Sequence, residues 1–245
     1  MPVRATSGEA MADPALEAVA GAVLAEIRDG DRLGLGTGRA ASAFIARLGE
    51  RVQQGLRVSG VPTSEASARL ARDAGIELIE LDEGAPLELT VDGADEVAPN
   101  LDLVKGWGGA LVRERIVAAA SRRQVILVGP EKLVPQLGAR GRIPIEVTPF
   151  ALAFVRRRVR ELGLAAALRL DARGAPYVTD NQNRILDLAQ AAPMDGRSAR
   201  AFDATLRAIP GVIDTGLFLG TAERVLIGHP EGRVETLVRG RVADR

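Results

Sequence analysis

The residues from Leu87 to Glu114 constrain the fold more than any other stretch of the chain. Leu87-Glu88-Leu89-Thr90-Val91 has the apolar, β-branched texture of a strand, and it runs directly into Asp92-Gly93-Ala94-Asp95-Glu96. Lys105 follows, then the glycine-rich turn Gly106-Trp107-Gly108-Gly109, and the pattern from Gly109 to Ala120 is helical. Acids at the carboxyl end of a strand, followed by a glycine turn into a helix, mark the edge at which open α/β sheets hold ligands. Asp92, Asp95, Lys105 and Glu114 are therefore the first candidate site residues.

The flanking chain repeats the strand-then-helix rhythm. Asp13-Pro14 supplies an N-cap and a proline at the first helical position, and Leu16, Val19, Ala20, Val23, Leu24 and Ile27 recur at helical spacing up to Asp29-Gly30. A strand over 32–35 leads through Gly36-Thr37-Gly38 into a helix with Ala43, Phe44, Leu48 and Val52 inward. A strand over 56–61, a helix from Ser64 to Ala74, and strands from Ile76 to Leu81 and Gln124 to Val128 continue the alternation. Such a pattern argues an α/β fold with a doubly wound, mostly parallel, Rossmann-like sheet. Gly129-Pro130-Glu131-Lys132 lies just past the last of these strands, which puts Lys132 on the same edge.

At Arg142 the texture changes. The segment from Ile143 to Val147 reads as a strand carrying Pro144, which predicts a sheet edge or a crossing between domains. A helix over 150–162, with Arg156-Arg157-Arg158 on a solvated face, is followed by strand candidates at 165–171, 176–179 and 184–188. Asp180-Asn181-Gln182-Asn183 reads as a polar hairpin turn. With a helix over 198–209 and a strand over 210–218, the order is β-α-β-β-α-β, an inserted ferredoxin-like α+β domain. Strands at 224–228 and 233–238 return to the first domain. The expected division is 1–141 plus 219–245 for the Rossmann-like part and 142–218 for the smaller one. Residues 1–12 are expected to be a disordered lead, within which Met11 is an alternative start.

Composition limits the partners. The 245 residues carry 32 basic and 32 acidic side chains and only 3% aromatics, so no net field favours nucleic acid or an anionic membrane. No apolar run reaches the roughly 18 residues of a membrane span, and the first residues lack the apolar core of a signal peptide. A cytoplasmic protein acting on a small molecule is expected. The chain has no cysteine and one histidine, His229, in a Gly-His-Pro turn. Thiolate nucleophiles, disulfides and zinc sites of the usual histidine- or cysteine-rich kind are thereby excluded, and no metal is expected. Of the 32 basic residues only Lys105 and Lys132 are lysine. Where arginine serves every generic need, the two lysines point to positions that require a compact charge able to give up its proton.

The loop Gly36-Thr37-Gly38-Arg39-Ala40 is neither the G-x-G-x-x-G dinucleotide fingerprint nor a Walker A loop, and no acid closes the second strand to hold a ribose. It reads either as a plain strand-to-helix turn or as an anion loop, in which helix N-terminal N–H groups, the Thr37 hydroxyl and the Arg39 charge meet a phosphate. A carboxylate base beside a lysine suits proton transfer next to a carbonyl. The base removes an acidic C–H, and the cation stabilises the enediolate oxygen that develops. With a phosphate anchor added, the economical reading is aldose–ketose isomerisation of a sugar phosphate.

Several blocks carry a family resemblance: G-L-G-T-G after the first strand, V-P-T-S-E-A-S, V-D-G-A-D-E, L-V-K-G-W-G-G-A-L-V-R-E, P-I-E-V-T-P, T-D-N-Q-N-R-I-L-D and P-G-V-I-D-T-G-L-F. In this order, from Leu33 to Gly228, the chain resembles ribose-5-phosphate isomerase of the A type. The resemblance implies an enzyme of the non-oxidative pentose phosphate pathway. It interconverts D-ribose 5-phosphate and D-ribulose 5-phosphate without metal or cofactor, as a homodimer or homotetramer. By the same resemblance Glu114 is the general base between C1 and C2, and Asp92 and Lys105 handle the substrate hydroxyls and the enediolate. Substrate binding falls to the Gly36, Thr37, Gly38, Arg39 and Ala40 loop, to Gly93, Ala94 and Asp95, to the Gly106, Trp107 and Gly108 turn, and to Lys132.

Three positions depart from the family pattern. Arg39-Ala40 stands where the loop usually reads Ser-Thr, Trp107 where glycine is usual in K-G-G-G, and Gln182 where glycine is usual in T-D-N-G-N. An indole at 107 either points away from the sugar or narrows the pocket. Two further readings of the same residues are a sugar-phosphate-sensing domain, which predicts a DNA-binding helix-turn-helix that the short lead has no room for, and an isomerase or deaminase of another sugar phosphate.

Overall fold

The computed structural model describes residues 13–81, 86–189 and 194–239; the lead expected over 1–12 lies outside them. The first part of the chain alternates as expected, with α1 (Pro14–Leu24), β1 (Arg32–Leu35), α2 (Arg39–Gln53), β2 (Ser59–Pro62), α3 (Glu65–Asp73), β3 (Glu77–Leu78) and β4 (Leu89–Asp92). Two short strands then precede the next helix: β5 (Glu96–Val97), β6 (Leu103–Val104), α4 (Leu111–Ala119) and β7 (Gln124–Val128). The second part comprises β8 (Arg142–Val147), α5 (Leu152–Glu161), β9 (Ala165–Leu168), β10 (Arg184–Ala189), α6 (Gly196–Arg207) and β11 (Val212–Thr215). The chain closes with β12 (Leu217–Phe218), β13 (Arg224–Gly228) and β14 (Val234–Val238).

The main sheet has the order β14-β13-β7-β4-β1-β2-β3, parallel throughout except that β14 runs antiparallel to β13. From β1 the chain steps outward to β2 and β3, then returns to the other side of β1 for β4 and β7. The order therefore reverses between β1 and β4, and the carboxyl ends of those two strands open the crevice. Every residue of β4 and β7 is buried, as a parallel sheet covered on both faces demands. α1 begins where the sequence says it should: the Ala15 N–H donates to Asp13 Oδ1 at 3.1 Å, and Pro14 follows the cap. Its Val19, Ala20 and Val23 pack with Leu33, Leu35, Phe44, Ile45 and Leu48 in one buried cluster. At α3 the side chains and N–H groups of Ser64 and Ser67 cap each other reciprocally.

The second sheet has the order β11-β8-β10-β9 and is antiparallel throughout, the strand order of a ferredoxin-like plait. Val155 and Val159 of α5 and Leu206 of α6 cover Ile145, Val147, Leu186 and Leu188 on one face. Pro144 does not sit on an edge, because β8 lies between β10 and β11. In an antiparallel pair two facing residues exchange both N–H···O bonds. Gly216 N–H donates to Pro144 O at 2.7 Å, but Pro144 has no N–H to return, and Lys105 N–H donates to Gly216 O at 2.9 Å instead. The proline is tolerated inside the sheet because a third residue uses the acceptor it leaves free.

Three strand expectations are corrected. Residues 176–179 form no regular strand; Pro176 makes only a single bridge to Leu170, and the strand expected over 165–171 ends at Leu168. The strand expected over 210–218 breaks at Gly216 into β11 and β12. A small third sheet, β12-β6-β5, is one that the sequence did not announce. It ties the acidic segment to the end of the second sheet, and it explains Glu96: this buried carboxylate accepts N–H bonds from Gly138 at 2.6 Å and Arg140 at 2.7 Å. Among the described residues no helix is long and apolar enough to cross a membrane.

Candidate active site

At the carboxyl ends of β1, β4 and β7 lies a cavity of about 520 Å³. The loop after β1 contributes Thr37, Gly38, Arg39 and Ala40, and the loop after β4 contributes Gly93, Ala94 and Asp95. Lys105, Gly106, Gly108, Glu114 and Lys132 complete the expected set on its wall. Gly36, Asp92 and Trp107 are not on that wall. Asp13 and Leu16 of the α1 start, Gly228 at the end of β13 and Pro230 after it are on the wall and were not foreseen as site residues.

The floor is a buried ionic group. Asp92 is fully buried, Lys105 is 2% exposed and Glu114 is 4% exposed. Lys105 Nζ lies 2.9 Å from Asp92 Oδ2, 3.5 Å from Glu114 Oε2 and 2.5 Å from the Gly93 carbonyl oxygen. The other Asp92 oxygen accepts N–H bonds from Thr37 at 3.1 Å and Gly93 at 2.8 Å, so this carboxylate is held on both sides. Gly36 owes its identity to that packing: a Cβ there would stand 2.6 Å from the Asp92 Cα. Glu114 Oε2 and Asp92 Oδ2 are both buried and make no hydrogen bond, and each faces the Lys105 ammonium as an ion pair.

Burial alone would depress the Lys105 ammonium, but the Asp92 and Glu114 carboxylates outweigh it and hold its pKa above the usual value. Lys105 is a cation throughout the neutral range. Burial, with Asp92 and Asp95 nearby, pushes Glu114 up to about 8, against the pull of Lys105. A folded pKa above the unfolded one gives stability that is complete below the ordinary carboxylate range and is lost as pH rises through about 8. Reactivity runs the other way, because a base must be ionised. If Glu114 is that base, kcat/KM rises roughly tenfold per pH unit below that pKa and levels above it. A rate profile flat from pH 6 to 8 is the result that would exclude such a titration.

The loop after β1 is built around hydroxyls. Thr37 Oγ1 lies 2.7 Å from Thr63 Oγ1 and 2.8 Å from Ser64 Oγ. Ser42 N–H donates to Gly38 O as the first bond of α2, so the N–H groups of Arg39, Ala40 and Ala41 have no acceptor within the helix. Arg39 is on the rim, its side chain 83% exposed and paired with Asp13 at 3.0 Å.

The family model of ribose 5-phosphate isomerase A (phosphoriboisomerase A) matches residues 59–232. The ribose-5-phosphate isomerase A of Roseiflexus sp. (strain RS-1) is 46% identical over 214 residues, covering 86% of this chain and 91% of that one. The chain belongs to the ribose-5-phosphate isomerase A family. The Deinococcus radiodurans ribose-5-phosphate isomerase A is 44% identical over 218 residues, 88% of this chain and 94% of that one. The solved ribose 5-phosphate isomerase A of Methanocaldococcus jannaschii superposes with a TM-score of 0.84 at 38% identity, covering 92% of this chain and 98% of that one. A D-ribose-5-phosphate isomerase solved in complex with phospho-erythronic acid gives 0.85 at 36%, covering 91% and 97%.

Within the isomerase family frame the glycine turn shows where Trp107 goes. Gly106 adopts φ +97°, a conformation open to glycine, and a Cβ there would come 2.8 Å from Leu111 Cβ. The Trp107 N–H donates to Asp95 Oδ2 at 2.9 Å, and its indole points off the cavity, donating from Nε1 to the Arg142 carbonyl at 3.2 Å. Arg169, which the sequence reading did not single out, pins the turn by donating to the Gly106 and Trp107 carbonyls at 2.8 and 3.0 Å. Burial pushes the Asp95 carboxyl above its usual range, even against the Trp107 N–H and the Lys105, Lys132 and Arg142 cations.

Proposed function

We propose that the chain is a ribose-5-phosphate isomerase in which Glu114 moves the proton between C2 and C1 of the open-chain sugar. The observation that carries this reading is one buried carboxylate, its pKa pushed up to about 8, ion-paired at 3.5 Å with a buried lysine, both on the wall of one cavity. Glu114 takes the C2 proton of the aldose and returns it to C1, while a hydroxyl proton passes from O2 to O1. Between those steps the enediolate oxygen carries negative charge, and the Lys105 ammonium is the fixed cation that meets it. Asp92 lies beneath the wall, so its part is to hold Lys105 against Gly93. Lys132 and the Asp95 carboxyl, also on the cavity wall, face the sugar. The free N–H groups at the start of α2 take the phosphate, the end of the substrate that does not react.

Purified protein with ribose 5-phosphate tests the reading: ribulose 5-phosphate is expected, with turnover unchanged by a chelator. Binding without turnover would favour a sensor and overturn it. Arg39 fits the same scheme as a replacement in charge for the family's hydroxyls, swinging from Asp13 to the phosphate. Arg39→Ala is then expected to raise KM roughly three- to tenfold with kcat little changed, since an exposed charge adds uniform binding. Unchanged KM would mean that the guanidinium stays with Asp13 and solvent.

A further inference from the structure

Trp107 is the one bulky side chain in the turn Gly106-Trp107-Gly108-Gly109, yet its ring is off the cavity wall and takes no part in the chemistry above. The residue is nonetheless held more firmly than a surface indole needs to be. Its backbone N–H is fixed by Asp95, its carbonyl by Arg169 and its indole N–H by the Arg142 carbonyl. Three cations surround the ring: the Arg142 and Arg140 guanidinium carbons lie 4.5 and 5.2 Å from the centroid, and Lys132 Nζ lies 5.9 Å from it. Arg140 also donates to the carbonyls of Asp95 and Glu131, at 3.3 Å each, and so bridges the segments carrying Asp95 and Lys132 across the indole. Of the three cations only Lys132 lines the cavity. Among the described residues no carboxylate pairs with its ammonium, so the indole face is what that ammonium packs against.

We propose that Trp107 is a positioning residue, whose indole face holds the Lys132 ammonium at the cavity wall for the substrate. A lysine stem has four rotatable bonds, and freezing them on binding costs affinity. A cation resting on an aromatic face within about 6 Å is restrained before the substrate arrives. The rigid turn makes the restraint effective, because Arg169 and Asp95 fix the backbone on which the ring stands. An arginine in place of Lys132 would share the ring with Arg140 and Arg142 but present a broad fork rather than a point charge. The selection of lysine at a position ringed by arginines follows from that difference.

The inference rests on the isomerase reading through the role given to Lys132, and the tests separate the two. Trp107→Gly is expected to raise KM for ribose 5-phosphate roughly two- to fivefold, the range of a partly exposed cation–π contact, with kcat moving less. Trp107→Phe keeps a π face and should recover most of the loss. In a Lys132→Met background Trp107→Gly should add nothing to KM. The same fold rise in both backgrounds, or a phenylalanine variant as poor as the glycine one, would overturn the inference. A readout that needs no turnover comes from the tryptophan itself, the only one in the chain. Lys132→Met should change its emission in the absence of substrate, and an identical spectrum would overturn the pairing. Failure of the wild type to isomerise ribose 5-phosphate would sink the isomerase reading, while the emission comparison still decides whether ammonium and indole meet.

Discussion

Glu114→Gln lowers kcat/KM by roughly a hundred- to ten-thousandfold, the loss expected when a general base is removed from a proton transfer. The amide fills the same volume and carries no charge, so it resembles the protonated acid that burial already favours at this position. The fold is accordingly expected to hold, with thermal unfolding near neutral pH close to that of the wild type. The loss appears in kcat, since the base acts on the transition state and adds little to ground-state binding. The rise of rate with pH that Glu114 imposes should vanish with it. Activity within tenfold of the wild type would remove Glu114 from the role of base.

Lys105→Met has the second large effect, and it falls on stability as well as on rate. Among the described residues the lysine is the one cation in contact with both Asp92 and Glu114, and all three are almost wholly buried. Taking it away leaves uncompensated buried carboxylates, a loss of about 3–5 kcal/mol. Turnover should disappear, because the enediolate loses its counter-charge. The stability deficit carries a sign that distinguishes it from simple loss of packing. Without the pull of the ammonium the buried Glu114 carboxyl, already raised, holds its proton to higher pH still in the folded state, so stability falls as pH rises and recovers as pH falls. Thermal unfolding of the variant followed from pH 8 to pH 5 should close part of the gap to the wild type. A gap independent of pH would mean that the cost comes from packing alone.

The parts of the fold legible in the sequence are those whose signal is local. The strand from Leu89 into Asp92 and the helix carrying Glu114 announce themselves by continuous apolar texture and by periodicity. The N-caps at Asp13 and Ser64 announce themselves by residue type. The third sheet does not, since β5, β6 and β12 are two residues each and no period can be read from two residues. Of the two places expected for Pro144, a sheet edge or a crossing between domains, the edge fails for a related reason. Propensity places a proline on an edge, and only the distant Lys105 N–H makes an interior place acceptable. Of the candidate site, the acids, the lysines and the anion loop stood out by composition and spacing. Gly36, Asp92 and Trp107, three of the expected substrate-side residues, are not on the cavity wall, and of the two alternatives for the indole at 107 the structure shows the one that points away. Arg169 is one arginine among many, and what distinguishes it is a turn more than sixty residues away in sequence, to whose carbonyls it donates.

The bond from Lys105 to Gly216 bears on how such a protein can be changed. The Gly216 carbonyl has two possible donors, the residue at 144 and the residue at 105, and proline at 144 withdraws from the competition. Any other residue there would offer an N–H to the same oxygen and contest the link that sets the height of Lys105. Gly216 is constrained from the same side, since a Cβ would stand 2.7 Å from the proline ring. Lys105, Pro144 and Gly216 therefore act as one structural unit spread over three separate stretches of chain. A smaller domain grafted from a relative would have to bring its own proline and glycine in register, or the ammonium it supports would arrive at the wrong depth.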